Sequence, residues 1–245
     1  KKGQAVAAKR SDREASEGCV LVKVADGFGA IIALKCETDF GAQNADFIKL
    51  TQDILDAAVA NKCKTLEEVK ALPMGDATIA QAVTDRSGIT GEKMELDGYM
   101  TLEGPVIATY NHQNKNFLCT MVVLNKVVDA KVGHEIAMQV AAMSPKYVSR
   151  DEVSQEYMEH EKEILLAQAK KENPEKPDNI IEKMIIGRLN KEMKEICLLD
   201  QVYVQDSDLT VAKYVDKVAK ENGANVTVTK FVRFETGEGL EKKNE

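Results

Sequence analysis

The 245-residue sequence contains no tryptophan, and aromatic residues make up only 5% of it. Its core must therefore be built mainly from aliphatic side chains, and each of its six phenylalanines stands out. No apolar run reaches the ~18–20 residues that a membrane-spanning helix needs, and no signal-type hydrophobic segment follows Lys1-Lys2-Gly3-Gln4. A basic excess is also lacking: 33 Lys and Arg stand against 40 Asp and Glu, for a formal charge of −7. That balance argues against the electrostatic footprint of non-specific nucleic-acid binding, so neither a nucleic acid nor a membrane is the expected partner. The five cysteines, at 19, 36, 63, 119 and 197, form no C-x-x-C pair and are odd in number, which fits neither a disulfide framework nor a zinc site. Reduced thiols in a cytoplasmic protein are expected.

Recognisable enzyme chemistry is equally scarce. The sequence has no glycine-rich phosphate loop, no G-x-S-x-G and no H-E-x-x-H, and its histidines, His112, His134 and His160, fall in no nucleophile–base order. Glu37 and Asp39 are too sparse a pair to define a metal site, and the remaining carboxylates read as solvated surface. The reading is therefore of a protein that is not an enzyme and needs no cofactor or metal.

What is present is ordinary for a folded protein: 44% hydrophobic and 30% charged residues, in a length that allows one large domain or two smaller ones. Residues 1–17 are Ala-rich and charged and suit a linker helix. After Glu17-Gly18 the apolar period becomes two. Cys19 to Ala25 and Phe28 to Cys36 read as a hairpin closed by Asp26-Gly27, since Asp-Gly supplies the positive φ angles of a tight hairpin turn. From Asn44, the recurrence of Phe47, Leu50, Ile54, Leu55 and Ala58 at three and four predicts a helix to about Ala60.

The same order then returns. Glu103-Gly104-Pro105-Val106 repeats Glu17-Gly18-Cys19-Val20, 86 residues later, and precedes strand-like 106–110, a polar turn at 112–116 and strand-like 117–124. A helix also returns, with Glu135-Ile136 falling where Asp53-Ile54 stood in the first. We read an internal duplication of a hairpin-plus-helix unit. Between 151 and 198 the pattern is wholly helical, interrupted by Pro174 and Pro177, and predicts an antiparallel hairpin with charged outer faces. A short strand near 202–204, a helix from Thr210 to Glu221 and an irregular strand from Asn225 to Phe234 complete the chain. The expected class is α+β: an N-terminal subdomain over 18–100 and a related C-terminal one over 101–236, each an antiparallel sheet covered by helices. The helical hairpin 151–198 is inserted in the second, and a tail follows over 237–245.

One junction does not fit this regular scheme. In Cys36-Glu37-Thr38-Asp39-Phe40-Gly41-Ala42-Gln43-Asn44, Thr38 or Asp39 can cap the next helix. Phe40 falls at the loop-to-helix corner, off the regular apolar face. It is either a core residue or an insertion residue able to gain ~1.5–3 kcal/mol when buried in a partner.

These residues resemble the elongation factor Ts family, the guanine-nucleotide exchange factors of elongation factor Tu in bacterial and organellar translation. Thr38, Asp39, Phe40, Asn44 and Phe47 match the family's T-D-F-V-x-x-N/D-x-x-F pattern, preceded by Asp26-Gly27-Phe28-Gly29. Further matches are Ala7-Ala8-Lys9-Arg10, the helix 136–142, and Phe231-Val232-Arg233-Phe234-Glu235 with Gly237-Glu238-Gly239. The resemblance implies that Asp39 and Phe40 belong to the exchange site. Phe40 would enter between helices of the G domain of elongation factor Tu and so disturb the nucleotide-bound Mg²⁺ and the phosphate-binding loop. It also implies that the turn around His112 faces another domain of the same partner, and that hairpin 151–198 supports a homodimer or a further contact. A three-helix module before Lys1 and a short helical extension after Glu245 are implied as well. Two departures are specific: Gly41 stands where the family has Val, and Thr90-Gly91-Glu92-Lys93-Met94 only partly matches the family's I-G-E-N-I, so that Gly91 alone is carried over. The expected site is thus Thr38, Asp39, Phe40, Asn44, Gly91 and His112. The alternative function is a partner-binding or tethering protein without exchange activity.

Overall fold

The computed structural model describes Gly3 and residues 14–238. Most of the expected linker helix 1–17, the Ala7-Ala8-Lys9-Arg10 match, and the tail from Gly239 lie outside the described residues. The class is α+β. The chain divides into two compact units, one made of residues up to Ala141 together with those from Val228, the other of Ala142–Thr227.

In the first unit, β1 (Glu17–Ala25) and β2 (Phe28–Cys36) form the expected hairpin, with Asp26 and Gly27 at φ 52° and 74°. A one-turn helix α1 (Asp39–Ala42) leads to α2 (Ala45–Ala60), and then come α3 (Leu66–Ala71), the small pair β3 (Pro73–Met74) and β4 (Ala77–Thr78), and α4 (Ile79–Thr90). Strand β5 (Glu95–Glu103) returns antiparallel to β2, giving the order β1-β2-β5. The second sheet follows the same plan. β6 (Val106–Asn111) and β7 (Leu118–Leu124) form a hairpin, α5 (Ala130–Met143) follows, and β8 (Val228–Glu235) pairs antiparallel with β7.

Even the irregularities correspond. Between β2 and β5 the register shifts at Ala33/Leu34, leaving Asp97 as an extra residue; between β7 and β8 it shifts at Val123/Leu124, leaving Thr229 extra. Thr229 satisfies its hydroxyl on the Val123 carbonyl at 3.3 Å. Asp97, whose side chain is 2% exposed, instead faces Lys35, 5% exposed, at 3.5 Å.

Both central strands are buried along their whole length. On β2, Phe28, Ala30, Ile32, Leu34 and Cys36 point into a core with Phe47, Ile54, Leu55 and Ala58 of α2, while Ile31 and Ala33 point the other way, against Cys119, Met121 and Phe234 of the second sheet. A strand covered on both faces needs a near-continuous apolar run rather than alternation, which is what Phe28 to Leu34 supplies. The sheets touch closely: the Val20 amide donates to the Asn116 carbonyl at 2.7 Å, and a Cβ on Gly98 would lie 2.5 Å from the Phe234 ring. On the far face of β7, Thr120 donates its hydroxyl to the Ala137 carbonyl of α5 at 2.8 Å.

In the second unit, α6 (Gln155–Glu172), capped by Ser154, and α7 (Asp178–Ile196) run antiparallel, since Tyr157 bonds Glu192 at 2.9 Å and Arg188 pairs with Glu172 at 3.0 Å. Their seam is Val153, Leu189, Met193 and Cys197 at one end and Ala169, Ile181 and Ile185 at the other. Helix α8 (Val211–Asn222) is capped by Thr210 and ends on Gly223 at φ 59°. The strand expected near 202–204 is not formed. Only an isolated bridge joins Val202 to Thr210, and the alternating pattern arises because Tyr203 turns inward to stack on Tyr214, with ring centroids 4.3 Å apart, while Val202 and Val204 stay exposed.

Two measurements check this packing. Asp97→Ala would leave the buried Lys35 with only the half-exposed Glu95, 3.6 Å away, as a partner, and should cost about 1–3 kcal/mol in urea unfolding. All five cysteines are buried, and burial pushes the thiols of Cys19, Cys36 and Cys119 up to about 12. The folded protein should therefore resist thiol alkylation at neutral pH. In the unfolded chain the same thiols ionise from their ordinary value of 9.0. Their contribution to stability is complete below that pH and lost as pH rises towards about 12, so the urea midpoint should fall between pH 8 and 10.

Candidate functional site

The corner between β2 and α2 is built from short-range hydrogen bonds. Thr38 is extended (φ −118°, ψ 149°), and its Oγ1 accepts from the Gly41 amide at 2.9 Å, capping α1. Asp39 Oδ1 accepts from the Phe40 amide at 2.8 Å. Asn44 caps α2 by accepting from the Asp46 amide at 2.9 Å, and the same oxygen accepts from Arg86 Nη2 at 3.1 Å. Thr38 and Asn44 are thus helix caps. The chain breaks its helical phase between them, at Gln43-Asn44, which separates Phe40 from the apolar face that begins at Phe47.

Phe40 is consequently outside the core. Its side of α1 faces solvent and it is 85% exposed, whereas Phe47 is fully buried. The inward side of α1 carries the small residues Gly41, which is buried, and Ala42, which packs against the helix-covered core. For a chain so short of aromatics, a phenylalanine held in water on a capped turn is a costly placement, because burial would gain ~1.5–3 kcal/mol.

A second segment, at the end of α4, braces the corner. Gly91 takes the left-handed conformation at φ 75°, and its amide bonds the Ser87 carbonyl at 2.9 Å, closing the helix. The next residue, Glu92, turns its carboxylate onto α1: Oε1 accepts from both the amide and the hydroxyl of Thr38, each at 2.9 Å. The Lys93 amide donates to Glu37 at 2.7 Å. Three links therefore join 37–44 to 86–93. Gly91 acts through the turn that sets Glu92, and Ile89, 73% exposed, lies on the same braced segment. Arg86 is a functional-site residue that no local sequence pattern singles out, and Glu92 stands in the 90–94 stretch from which Gly91 alone is carried over; they lie 42 and 54 positions from the residues they hold.

His112 lies apart from this corner, in the turn after β6. The Tyr110 hydroxyl and His112 Nδ1 are 3.1 Å apart, and His112 meets the Tyr110 and Phe117 rings edge-on, with centroids 5.7 and 5.8 Å away. The turn is rich in left-handed residues, with Gln113, Asn114 and Asn116 at φ 54°, 54° and 61°, and Asn111 ties it by bonding Asn116 twice. A cleft of about 570 Å³ lies between Asp39, Ala42 and Ile48 on one side and Lys115, Asn116 and Phe117 on the other. The structure thus gathers Thr38, Asp39, Phe40, Asn44 and Gly91 at one corner, and sets the His112 turn across a cleft from it. Among the described residues no cluster of His, Cys, Asp and Glu is arranged to hold a metal, and no helix is long and apolar enough to cross a membrane.

Comparison with known proteins agrees on one family. Residues 37–238 match the family described as Elongation factor TS. A protein of Bacteroides fragilis named Elongation factor Ts is 53% identical, the alignment covering 95% of this chain and 86% of that protein. Namesakes from Porphyromonas gingivalis and Syntrophotalea carbinolica are 47% and 40% identical, over 96% and 100% of this chain and 83% of each relative.

Proposed function

The chain belongs to the elongation factor Ts family of translation elongation factors, and from that premise we propose that it is a cytoplasmic guanine-nucleotide exchange factor that binds elongation factor Tu and promotes GDP release. The observation that carries this reading is Phe40: an aromatic ring 85% exposed on a capped and braced corner. Such a ring is already in place to enter a gap between helices of a partner, and the rigidity of its support lets burial energy distort the partner rather than be spent on ordering the loop.

Exchange is a coupling between two ligands of one GTPase. A factor that weakens nucleotide binding by some ratio is itself weakened by nucleotide in the same ratio. Each tenfold loss of nucleotide affinity requires ~1.4 kcal/mol of differential binding. One buried Phe supplies ~3 kcal/mol at most, so a large acceleration needs several contacts. In this proposal the halves 18–100 and 101–236 grip two domains of elongation factor Tu, the His112 turn contributing on the second half, while Asp39 and Phe40 deliver the local distortion.

Release of a fluorescent GDP from elongation factor Tu tests partner and function together. Phe40→Ala should lower the stimulated release rate at saturating factor by at least about tenfold, with a smaller loss in complex formation. An unchanged release rate with the complex intact would defeat the assignment. A protein that only tethers would bind and leave release at its spontaneous rate.

A further inference from the structure

We propose that Glu92 is the positioning residue for Phe40, its carboxylate holding the Thr38 cap and filling the space beside Gly41. The proposal rests on the exchange role of Phe40 given above and extends it to the part of the fold that holds the ring in place.

The argument begins with a helix too short to hold itself. α1 has four residues, fewer than a stable nucleus requires, and its form must be imposed from outside. Without that support the exposed Phe40 ring would gain by folding back onto apolar surface of its own chain. The imposed support is directional. The Thr38 hydroxyl has one proton and donates it to Glu92 Oε1, which leaves its oxygen to accept the Gly41 amide. The Thr38 amide donates to the same carboxylate oxygen. Glu92 thus orients the cap whose geometry sets the backbone on both sides of Phe40.

Space tells the same story. A Cβ built on Gly41 would overlap Glu92 Oε2 and come within 2.9 Å of Oε1. A carboxylate at the end of a free side chain could swing away from such a Cβ, but this one is held by two hydrogen bonds from Thr38. Its own backbone is held as well: the Ser87 hydroxyl donates to the Glu92 carbonyl, and the Glu92 amide donates to Thr90 Oγ1 at 3.2 Å. Glycine at 41 thus leaves to the Glu92 carboxylate the space that a side chain would otherwise take in this chain.

The test is a mutant cycle read in GDP release from elongation factor Tu at saturating factor, using the full chain. Glu92→Ala should lower the maximal release rate by about fivefold or more. Glu92→Gln keeps an oxygen able to accept both Thr38 donors, so it should restore at least half of the wild-type rate. Gly41→Ala, which displaces the carboxylate, should reproduce the effect of Glu92→Ala, and the double variant should be no slower than the slower single one. In a Phe40→Ala background, Glu92→Ala should have no further effect, because its action runs through the ring. A Glu92→Ala variant with an unchanged release rate overturns the proposal. So does one that slows release equally with and without Phe40, or one whose loss tracks a lowered unfolding temperature and is not rescued by glutamine. If Phe40→Ala alone leaves release unchanged, the exchange role of Phe40 fails and this inference falls with it. If Phe40→Ala slows release and Glu92→Ala does not, the positioning role alone is wrong.

Discussion

The two-sided burial of β2 is the constraint on which the first unit depends. Successive side chains of this strand serve different neighbours. Phe28, Ala30, Ile32 and Leu34 are committed to α2, and Ile31 and Ala33 to the second sheet. A slip of one residue would exchange the two sets, placing larger side chains at the positions of Gly29 and Ala33, where the second sheet packs closely. Gly29 and Gly98 mark this close approach, since Cβ atoms there would meet Met121 at 2.7 Å and Phe234 at 2.5 Å. β7 is buried in the same way, and the repeated bulge opposite each central strand shows that the two sheets meet the requirement with the same device.

The site inherits its rigidity from that arrangement. β2 ends at Cys36, which is fully buried, and α2 begins its buried face at Phe47, so the corner spans two anchored points. β5 lies next to β2 and brings the preceding turn, with Gly91 and Glu92, alongside the corner. The exposed ring of Phe40 is therefore presented by a frame that includes two strands and two helices rather than by a free loop. The pairing of Lys35 with Asp97 fits the same geometry: the bulge turns Asp97 towards the neighbouring strand, where a buried lysine needs an opposite charge.

Much of this was legible in the residues. The Asp-Gly turn, the three-and-four spacing of α2, the duplicated Glu-Gly-x-Val start, the proline-separated helices and the irregularity in the last strand follow from local stereochemistry, and each has a counterpart in the structure. The stretch from 61 to 94 was opaque because α3, β3 and β4 are short and α4 buries a mixed face, Ile79 and Val83 followed by Ser87 and Gly88, and β5 was hidden because Asp97 and Gly98 break its period in service of long-range contacts. The false strand at 202–204 is instructive. Alternation of Val202, Tyr203 and Val204 reports only that one side chain turns inward, and a strand needs a partner as well.

The same distinction applies at the functional corner. By itself the sequence determined that Thr38 and Asn44 can cap helices, that Phe40 falls off the apolar face, and which family the chain resembles, because capping, period and motif are properties of neighbouring residues. Whether Phe40 was core or exposed was decided only by the tertiary structure, and so was the role of Glu92. The reason is physical: the bonds that set the corner join residues 54 positions apart, and they exist only once β5 has paired with β2 and carried the end of α4 to Thr38.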